Sequence, residues 1–393
     1  SRAARIHLGN DAYTTIAADF VAAAYTPYVH FVLKTAKERG IKRLYFLSRD
    51  SYILQKIAEQ LPHEDIELRY LFVSRKSLLL PYLHNATAEK FLAIQDKRAI
   101  RGKAVKELAT SLGTSTEELK EKFGIEFNFD KIATKEQEQT FLSSIFGVGS
   151  SYLPTLNERA KEKRELLNKY FEQENVFSND TTAMVDVGWL GTTRLMINRI
   201  LKEEGYPETL FFYYGVRGDV MHSKHGSYVT FHSPATSDTE LTFIIEDYFS
   251  ASPYKSTNGY LKKNDKYCPI LNGETSFNNI VSANCDTAVW ITKELSILPQ
   301  EVMEHLQQWE NSALNSIKKS IHIIDKKPFV ESGISRRLKI SEFINIVFCG
   351  GHKTLYDKAS IALSIPRGLY PCIDKIAHFT GNIRRRLYLR LHR

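Results

Sequence analysis

The sequence predicts an α/β protein built on a parallel sheet, and three observations lead there. Apolar runs of strand length end in polar residues, each run is followed by a segment with helical periodicity, and the alternation recurs along the chain. Strands that alternate with helices imply parallel pairing with right-handed crossovers. The opening stretch, Asn10 to Arg39, has Ala-rich and aromatic faces and reads as one long packing helix, stopped by Gly40. Ile41–Leu47 is the first strand and runs into Ser48-Arg49-Asp50-Ser51. Ile53, Leu54, Ile57 and Ala58 then mark one face of a helix. The second strand, Ile66–Val73, ends in Ser74-Arg75-Lys76-Ser77.

The next region, from about Thr87 to Asn175, is helical and too long to be a loop, so it reads as an insertion that covers the active site or shapes an acceptor groove. Within it, Val105–Leu119 reads as helix, Gly113 turn and a capped second helix. A helix-turn-helix has the same outline, but Glu117 and Glu118 stand where base contacts would be made. The third strand begins at Thr181 and passes Asp186 and Val187 into Gly188-Trp189-Leu190-Gly191-Thr192-Thr193; Leu195, Ile197, Ile200 and Leu201 support a helix after it. Thr209–Val216 is a fourth strand, ending in Arg217-Gly218, and Ser227–Phe231 extends the sheet. From Glu240 the pattern turns helical. The expected organisation is a first part of the α/β core at 1–86, the insertion at 87–175, the second part of the core at 176–260, and a mainly helical region with a basic tail at 261–393.

Composition sets the class. The 393 residues are 43% hydrophobic and 25% charged, which supports a sizeable core and argues against disorder. Cys268, Cys285, Cys349 and Cys372 are widely spaced with no C-x-x-C pair, so neither a zinc site nor a disulfide framework is indicated. The longest apolar region, Ile16 to Leu33, is interrupted by Asp19 and Pro27, and neither a signal pattern nor a membrane span is expected. The net charge of +8 is concentrated at Arg384, Arg385, Arg386, Arg390 and Arg393, interleaved with apolar residues. Such a tail suits an anionic membrane surface; nucleic acid and a plain solvated helix end are the other uses of such charge.

The chemistry lies at the strand ends. Small residues at Gly188 and Gly191 let the backbone approach an anion, the helix that follows supplies amide N–H groups, and Thr192 and Thr193 add hydroxyl donors. A plain strand-to-helix turn has the same composition. Asp186 is placed to face sugar hydroxyls or a metal. In open α/β sheets ligands bind beyond the carboxyl ends of the strands, so Arg49, Arg75, Lys76 and Asp186 can converge, unless each Arg pairs with a surface acid. Glu246, Asp247, Tyr248, Phe249, Pro253 and Tyr254 form an acid-and-aromatic cluster, either core packing or a place for a sugar to stack beside a base. His222, His225 and His232 read as an exposed loop, since a metal site needs converging ligands.

The run from Val185 to Thr193 resembles the motif of type I phosphoribosyltransferases: two acids, an aliphatic residue, two variable residues, Thr, Gly, a variable residue and Thr. Asp186, Val187, Gly191 and Thr193 match it, while Val185 replaces the first acid and Leu190 the Thr before Gly. The fold implied is the parallel-sheet, Rossmann-like core of that family. A closer resemblance, from Gly9 to about Lys255, is to bacterial polysaccharide-assembly proteins with phrases similar to Tyr45-Phe46-Leu47-Ser48-Arg49-Asp50, Val73-Ser74-Arg75 and Asp186-Val187-Gly188-Trp189. In these a haloacid dehalogenase-like phosphatase domain commonly precedes the transferase. That phosphatase's Asp-x-Asp motif is not matched, because Gly188 stands where the second Asp belongs, so the chain reads as the transferase part.

The resemblance implies transfer of a 5-phosphoribofuranosyl group from phosphoribosyl pyrophosphate (PRPP) to a glycan hydroxyl in O-antigen or capsule biosynthesis, with release of pyrophosphate. Ser48, Arg49, Asp50, Ser51, Arg75, Lys76, Asp186, Val187, Gly188, Gly191, Thr192 and Thr193 are the expected PRPP-binding residues. Asp186, Arg49, Asp50 and Glu246 are the expected catalytic ones, with Asp50 and Glu246 as bases and Asp186 as a ligand of Mg2+. The partners implied are a lipid-linked or polysaccharide acceptor and a phosphatase domain in the same or a neighbouring polypeptide, with no nucleic acid. The location implied is cytoplasmic, peripheral on the inner face of the cytoplasmic membrane. A non-catalytic phosphate-ligand module, a haloacid dehalogenase-associated domain and a DNA-binding regulator stand as the alternatives.

Overall fold

The computed structural model describes residues 2–9, 11–63, 65–95, 99–216, 227–232 and 245–298, with 303, 305, 306 and 308–314. Its centre is a five-stranded sheet of β1 (Arg43–Leu47), β2 (Glu67–Leu71), β3 (Thr182–Trp189), β4 (Leu210–Val216) and β5 (Tyr228–Thr230) in the order β2-β1-β3-β4-β5, every pair parallel. The α/β class expected from the alternation of strands and helices is therefore the observed one.

The near-continuous apolar character of these strands has a direct cause. Successive side chains alternate between two covered faces, so both must be apolar. Leu44, Phe46, Val185 and Phe212 face one core, while Tyr45, Leu47, Met184 and Phe211 face the other, all at most 2% exposed. Each such side chain contributes about 1.5–3 kcal/mol by leaving water.

The first core is closed by α1 (Arg2–Leu8), α2 (Ala12–Ile16), a π-helical turn at Ala17–Val21 and α3 (Ala22–Glu38). Asp11 caps α2 by accepting from the amides of Tyr13 and Thr14, and Gly40, at a φ of 64°, follows the end of α3. The single long helix expected from Asn10 is thus broken by a π-turn. The stretch Tyr13–Glu38 is long and apolar enough to cross a membrane despite Asp19 and Pro27, a reading the interruptions had argued against. Its apolar window is 83% buried within the fold, where α3 packs on α4 (Tyr52–Ala58).

The second core lies under α5 (Arg75–Tyr82) and the helices of the 87–175 region: α6 (Ala88–Ala93), α7 (Val105–Ser111), α8 (Thr116–Phe123), α9 (Lys135–Phe146) and α10 (Leu153–Gln173). Hydroxyl caps set the starts of several of these: Thr87, Ser115 and Thr134 each accept from a backbone amide three residues on. Glu118, in the first turn of α8, is tied to Arg159 at 2.8 Å, and that guanidinium, with Thr114 and Lys122, holds its carboxyl down at about 2. α10 packs along α5, α11 (Thr192–Glu203) also packs on α5, and Arg164 of α10 donates to the Ile200 carbonyl and Glu203 carboxylate of α11.

Residues 261–393 were expected to be mainly helical; among the described ones a hairpin is found besides the helical segments. An antiparallel hairpin, β6 (Thr257–Lys263) and β7 (Lys266–Leu271), precedes α12 (Asn279–Ser296). Its two-residue turn is Asn264-Asp265, both at positive φ, the geometry whose twist suits a tight hairpin. The basic tail, Cys349 and Cys372, Arg217-Gly218, His222 and His225 lie outside the described residues.

Candidate functional site

The order β2-β1-β3 means that the chain winds outward from β1 to β2, then returns to β1's other side. A crevice opens where the winding reverses, beyond the carboxyl ends of the strands. Register levels these ends: Leu47 pairs with Leu71, and Phe46 with Val185. The loops after β1, β2 and β3 therefore rise side by side around one cleft of about 550 Å³.

The loop after β1 contributes Ser48, Arg49 and Asp50 to the cleft. Ser48 is fixed by its amide on the Leu71 carbonyl (2.9 Å) and its hydroxyl on the Val73 carbonyl (3.0 Å), and the Ser48–Arg49 peptide is cis. Arg49 Nε donates to Asp50 Oδ1 at 2.7 Å. From the loop after β2 come Ser74, Arg75 and Lys76. Ser74 and Ser77 form a reciprocal capping box, which fixes the first turn of α5 and keeps Arg75 and Lys76 at the cleft, both exposed.

Asp186, Gly188, Trp189, Leu190, Gly191, Thr192 and Thr193 form the third wall. β3 runs two residues further than its apolar pattern suggested, because Gly188 faces Gly215 and Trp189 faces Val216 on β4. Gly188 has a φ of 108°, and a Cβ there would lie 2.3 Å from the Gly215 carbonyl oxygen, so no other residue fits. Trp189 and Gly191 also adopt positive φ, at 81° and 69°, which turns the chain sharply into α11. Thr192 and Thr193 are thereby in the first turn of a twelve-residue helix whose N-terminal dipole faces the cleft.

Asp186 is the electrostatic centre of the site. Its Oδ1 accepts from the Val187 amide at 2.9 Å, and its carbonyl accepts from the Tyr28 hydroxyl at 2.9 Å. Burial, then the charge of Asp50 and that of Glu246, push its carboxyl up to about 7, against the Val187 amide and the Arg75 charge that favour ionisation. Glu246, from a π-turn at Ile245–Phe249, completes the acidic part of the cleft.

Two expected ligand contacts are not made at the surface of the cleft. Ser51 is fully buried and its hydroxyl donates to the Val185 carbonyl at 2.9 Å, so it ties the β1 loop to β3. Val187 points into the first core at 1% exposure, as strand alternation requires of the neighbour of Asp186. Among the described residues the 87–175 helices contribute none to the cleft lining; α10 packs against both strands of the hairpin. Of the acid-and-aromatic cluster, Tyr248 and Phe249 are core residues, while Tyr254 joins the rings of Tyr52, Tyr70 and Phe72. Asp247's side chain lies outside the description. His232, read as exposed, is mostly covered and bonded to the buried Glu310.

Sequence reasoning missed a fourth wall and a buried cation. Ser256, Asn258 and Asn272, all at the base of the hairpin, line the cleft, and Ser74 Oγ donates to the carbonyl of Thr257 between them. The Asn264-Asp265 turn was the available signal. Arg194 is 1% exposed, with its guanidinium 4.5 Å from the Tyr228 ring centroid and one terminal nitrogen 3.6 Å from where a Cβ on Gly191 would sit. It places positive charge directly behind the loop.

The cleft is of the size that holds a small polar ligand. Its cations and its amide-rich helix start suit two anionic groups, and the carboxylates lie in the same space. Compared with models of known protein families the chain matches none, and no curated protein matches it.

Proposed function

We propose that the chain is a glycosyltransferase of the phosphoribosyltransferase kind, moving a 5-phosphoribofuranosyl group from PRPP to a glycan hydroxyl. One observation carries the reading: Arg49, Arg75 and Lys76, from two strand ends, share a cleft with the Gly188–Thr193 loop from a third, with Asp186 in the same cleft. That arrangement suits a sugar with a monophosphate at one end and a diphosphate at the other. The loop amides and the Thr192 and Thr193 hydroxyls take the 5-phosphate, backed by Arg194; Arg49, Arg75 and Lys76 take the diphosphate.

The acceptor oxygen forms a bond to C1 as the bond from C1 to the diphosphate oxygen breaks, and the electron pair leaves with pyrophosphate. The acceptor proton passes to Asp50 or Glu246, both of which line the cleft. Attack opposite an α-linked diphosphate gives a β-ribofuranoside. Asp186, ionised above about pH 7, faces the ribose and opposes the positive charge that develops on the ring.

Magnesium fits this site in one way. Among the described residues no three His, Cys, Asp or Glu side chains form a protein-only cage, but burial and then the charges of Asp50 and Glu246 raise the Asp186 carboxyl, and a divalent cation would offset both. Asp186 would hold Mg2+ together with diphosphate oxygens, and the ion would supply charge neutralisation for the leaving group. Incubation with PRPP, Mg2+ and a panel of lipid-linked and synthetic glycans, with mass detection of an added phosphopentose and release of pyrophosphate, tests the reading. Arg49→Ala is expected to abolish release in a folded protein, and near-normal turnover would remove Arg49 from the mechanism.

A binding module without turnover is the second reading. It is favoured by Val185, which stands where an acid would clamp the ribose and is fully buried in the core. Calorimetric binding of PRPP with no product from any acceptor would select it.

A further inference from the structure

Three walls of the cleft carry charge or backbone amides suited to phosphate, and the fourth carries none. Ser256, Asn258 and Asn272 are neutral, and they sit on a hairpin that belongs to neither the sheet nor its helices. We infer that this wall is the acceptor subsite, and that it recognises an uncharged, hydroxyl-bearing sugar through the paired side-chain amides of Asn258 and Asn272. The inference rests on the donor reading given above.

The backbone aims these groups deliberately. Pairing shifts between Thr257 and Gly259, so that Asn258 is the extra residue of a β-bulge, a device that redirects a side chain out of the ladder. The Asn272 amide donates to the Ser256 carbonyl at 2.9 Å and closes the hairpin's base beside it. The two side chains meet through a long 3.4 Å bond from Asn258 Nδ2 to Asn272 Oδ1, and Asn258 Oδ1 is buried with no hydrogen-bond partner among the described residues. Hydrogen-bonding capacity is thus left over just beneath the cleft surface, beside the exposed amide of Asn272. An amide offers a donor and an acceptor together, which matches the hydroxyl of a sugar and gives no charge to attract a phosphate.

The subsite is also rigid. Ser74 Oγ donates to the Thr257 carbonyl, Tyr260 OH donates to the Phe72 carbonyl at 2.8 Å, and the Tyr260 ring stacks on Tyr170 with centroids 4.6 Å apart. Ser74 caps the helix that carries Arg75 and Lys76, so the acceptor wall and the diphosphate wall are held in one register. Little ordering remains to be done when an acceptor binds.

The test uses the full chain with PRPP and Mg2+, and methyl glycosides of glucose, galactose, mannose and N-acetylglucosamine as acceptor probes, read as pyrophosphate release above the water background. In Asn258→Ala and Asn272→Ala, KM for the most effective glycoside is expected to rise about fivefold or more, the loss of one or two neutral hydrogen bonds. The Kd for PRPP, measured by calorimetry, stays within about twofold of wild type, which also shows that the site is folded. A rise in PRPP Kd with glycoside KM unchanged would assign the amides to the donor and overturn the inference. So would a wild type that binds PRPP but is stimulated by none of the neutral glycosides. Absence of PRPP binding to the wild type would instead refute the donor reading, and this subsite with it.

Discussion

Asp186→Asn separates what this residue costs the fold from what it does in the site. An aspartate that ordinarily titrates at 3.8 titrates here at about 7, first because it is buried and then because Asp50 and Glu246 share its surroundings. Between these values the native chain holds a proton that the unfolded chain has released, so stability falls as pH rises. The stabilising contribution of the neutral carboxyl is complete below 3.8 and is lost by the time pH passes about 7. At ~1.4 kcal/mol for each tenfold change, ionisation costs the native state about 4 kcal/mol, or about 2–4 kcal/mol once partial solvent screening is allowed for. Asparagine carries no such charge, and its Oδ1 can still accept from the Val187 amide. Urea unfolding of the metal-free protein, followed by near-ultraviolet circular dichroism from pH 4 to pH 8.5, should give a variant increasingly more stable than wild type up to about pH 7, then a constant gap. Pyrophosphate release should fall on the order of 10²-fold or more. A variant with the wild-type pH dependence of stability would refute the electrostatic account of the site.

Two further substitutions probe the walls. Gly188→Ala puts a methyl group against the Gly215 carbonyl at a φ of 108°, and it is expected to cost at least about 3 kcal/mol in urea unfolding and to weaken PRPP binding; an unchanged unfolding midpoint would mean that β3 and β4 can separate freely. Arg75→Ala removes an exposed cation from a capped helix, so stability should change by less than about 0.5 kcal/mol while the PRPP Kd rises about tenfold. Because Arg75 also lowers the Asp186 pKa, the pH above which turnover recovers should move upward in the same variant, and no movement would place Arg75 too far from Asp186 to act on it.

The parts of this molecule that were legible in the sequence are those written locally. Strand alternation over two apolar faces, Gly40 after α3 and the Ser115 cap of α8 each need only a few neighbouring residues to be read. Arg49, Arg75, Lys76 and Asp186 could be placed together only because strand ends in a parallel sheet share one edge. What was missed depends on tertiary context. Whether Ser51 faces the cleft or the Val185 carbonyl is decided by the turn into α4, and the hairpin's Pro269 and polar turn carry too weak a strand signal to stand against a helical neighbourhood. Which of the two expected places the 87–175 helices take was not legible either, since length marks an insertion without saying what it packs on; α10 packs against the hairpin.

Among the described residues, none from the 87–175 helices lines the cleft. α10 packs on the hairpin, and residues at the base of that hairpin reach the cleft. The hairpin is held by side chains from the loop after β2 and from α10, so the wall proposed for the acceptor moves only if those elements move. The walls proposed for the donor rise from sheet ends fixed by the register of the core, and their charges follow from three loops. The acceptor wall depends on one bulge and two amides, and changing them leaves the core register untouched. On the proposed reading, sugar specificity would vary on the hairpin while the walls assigned to phosphate stay the same, because the two sets of residues are carried by different elements of the chain.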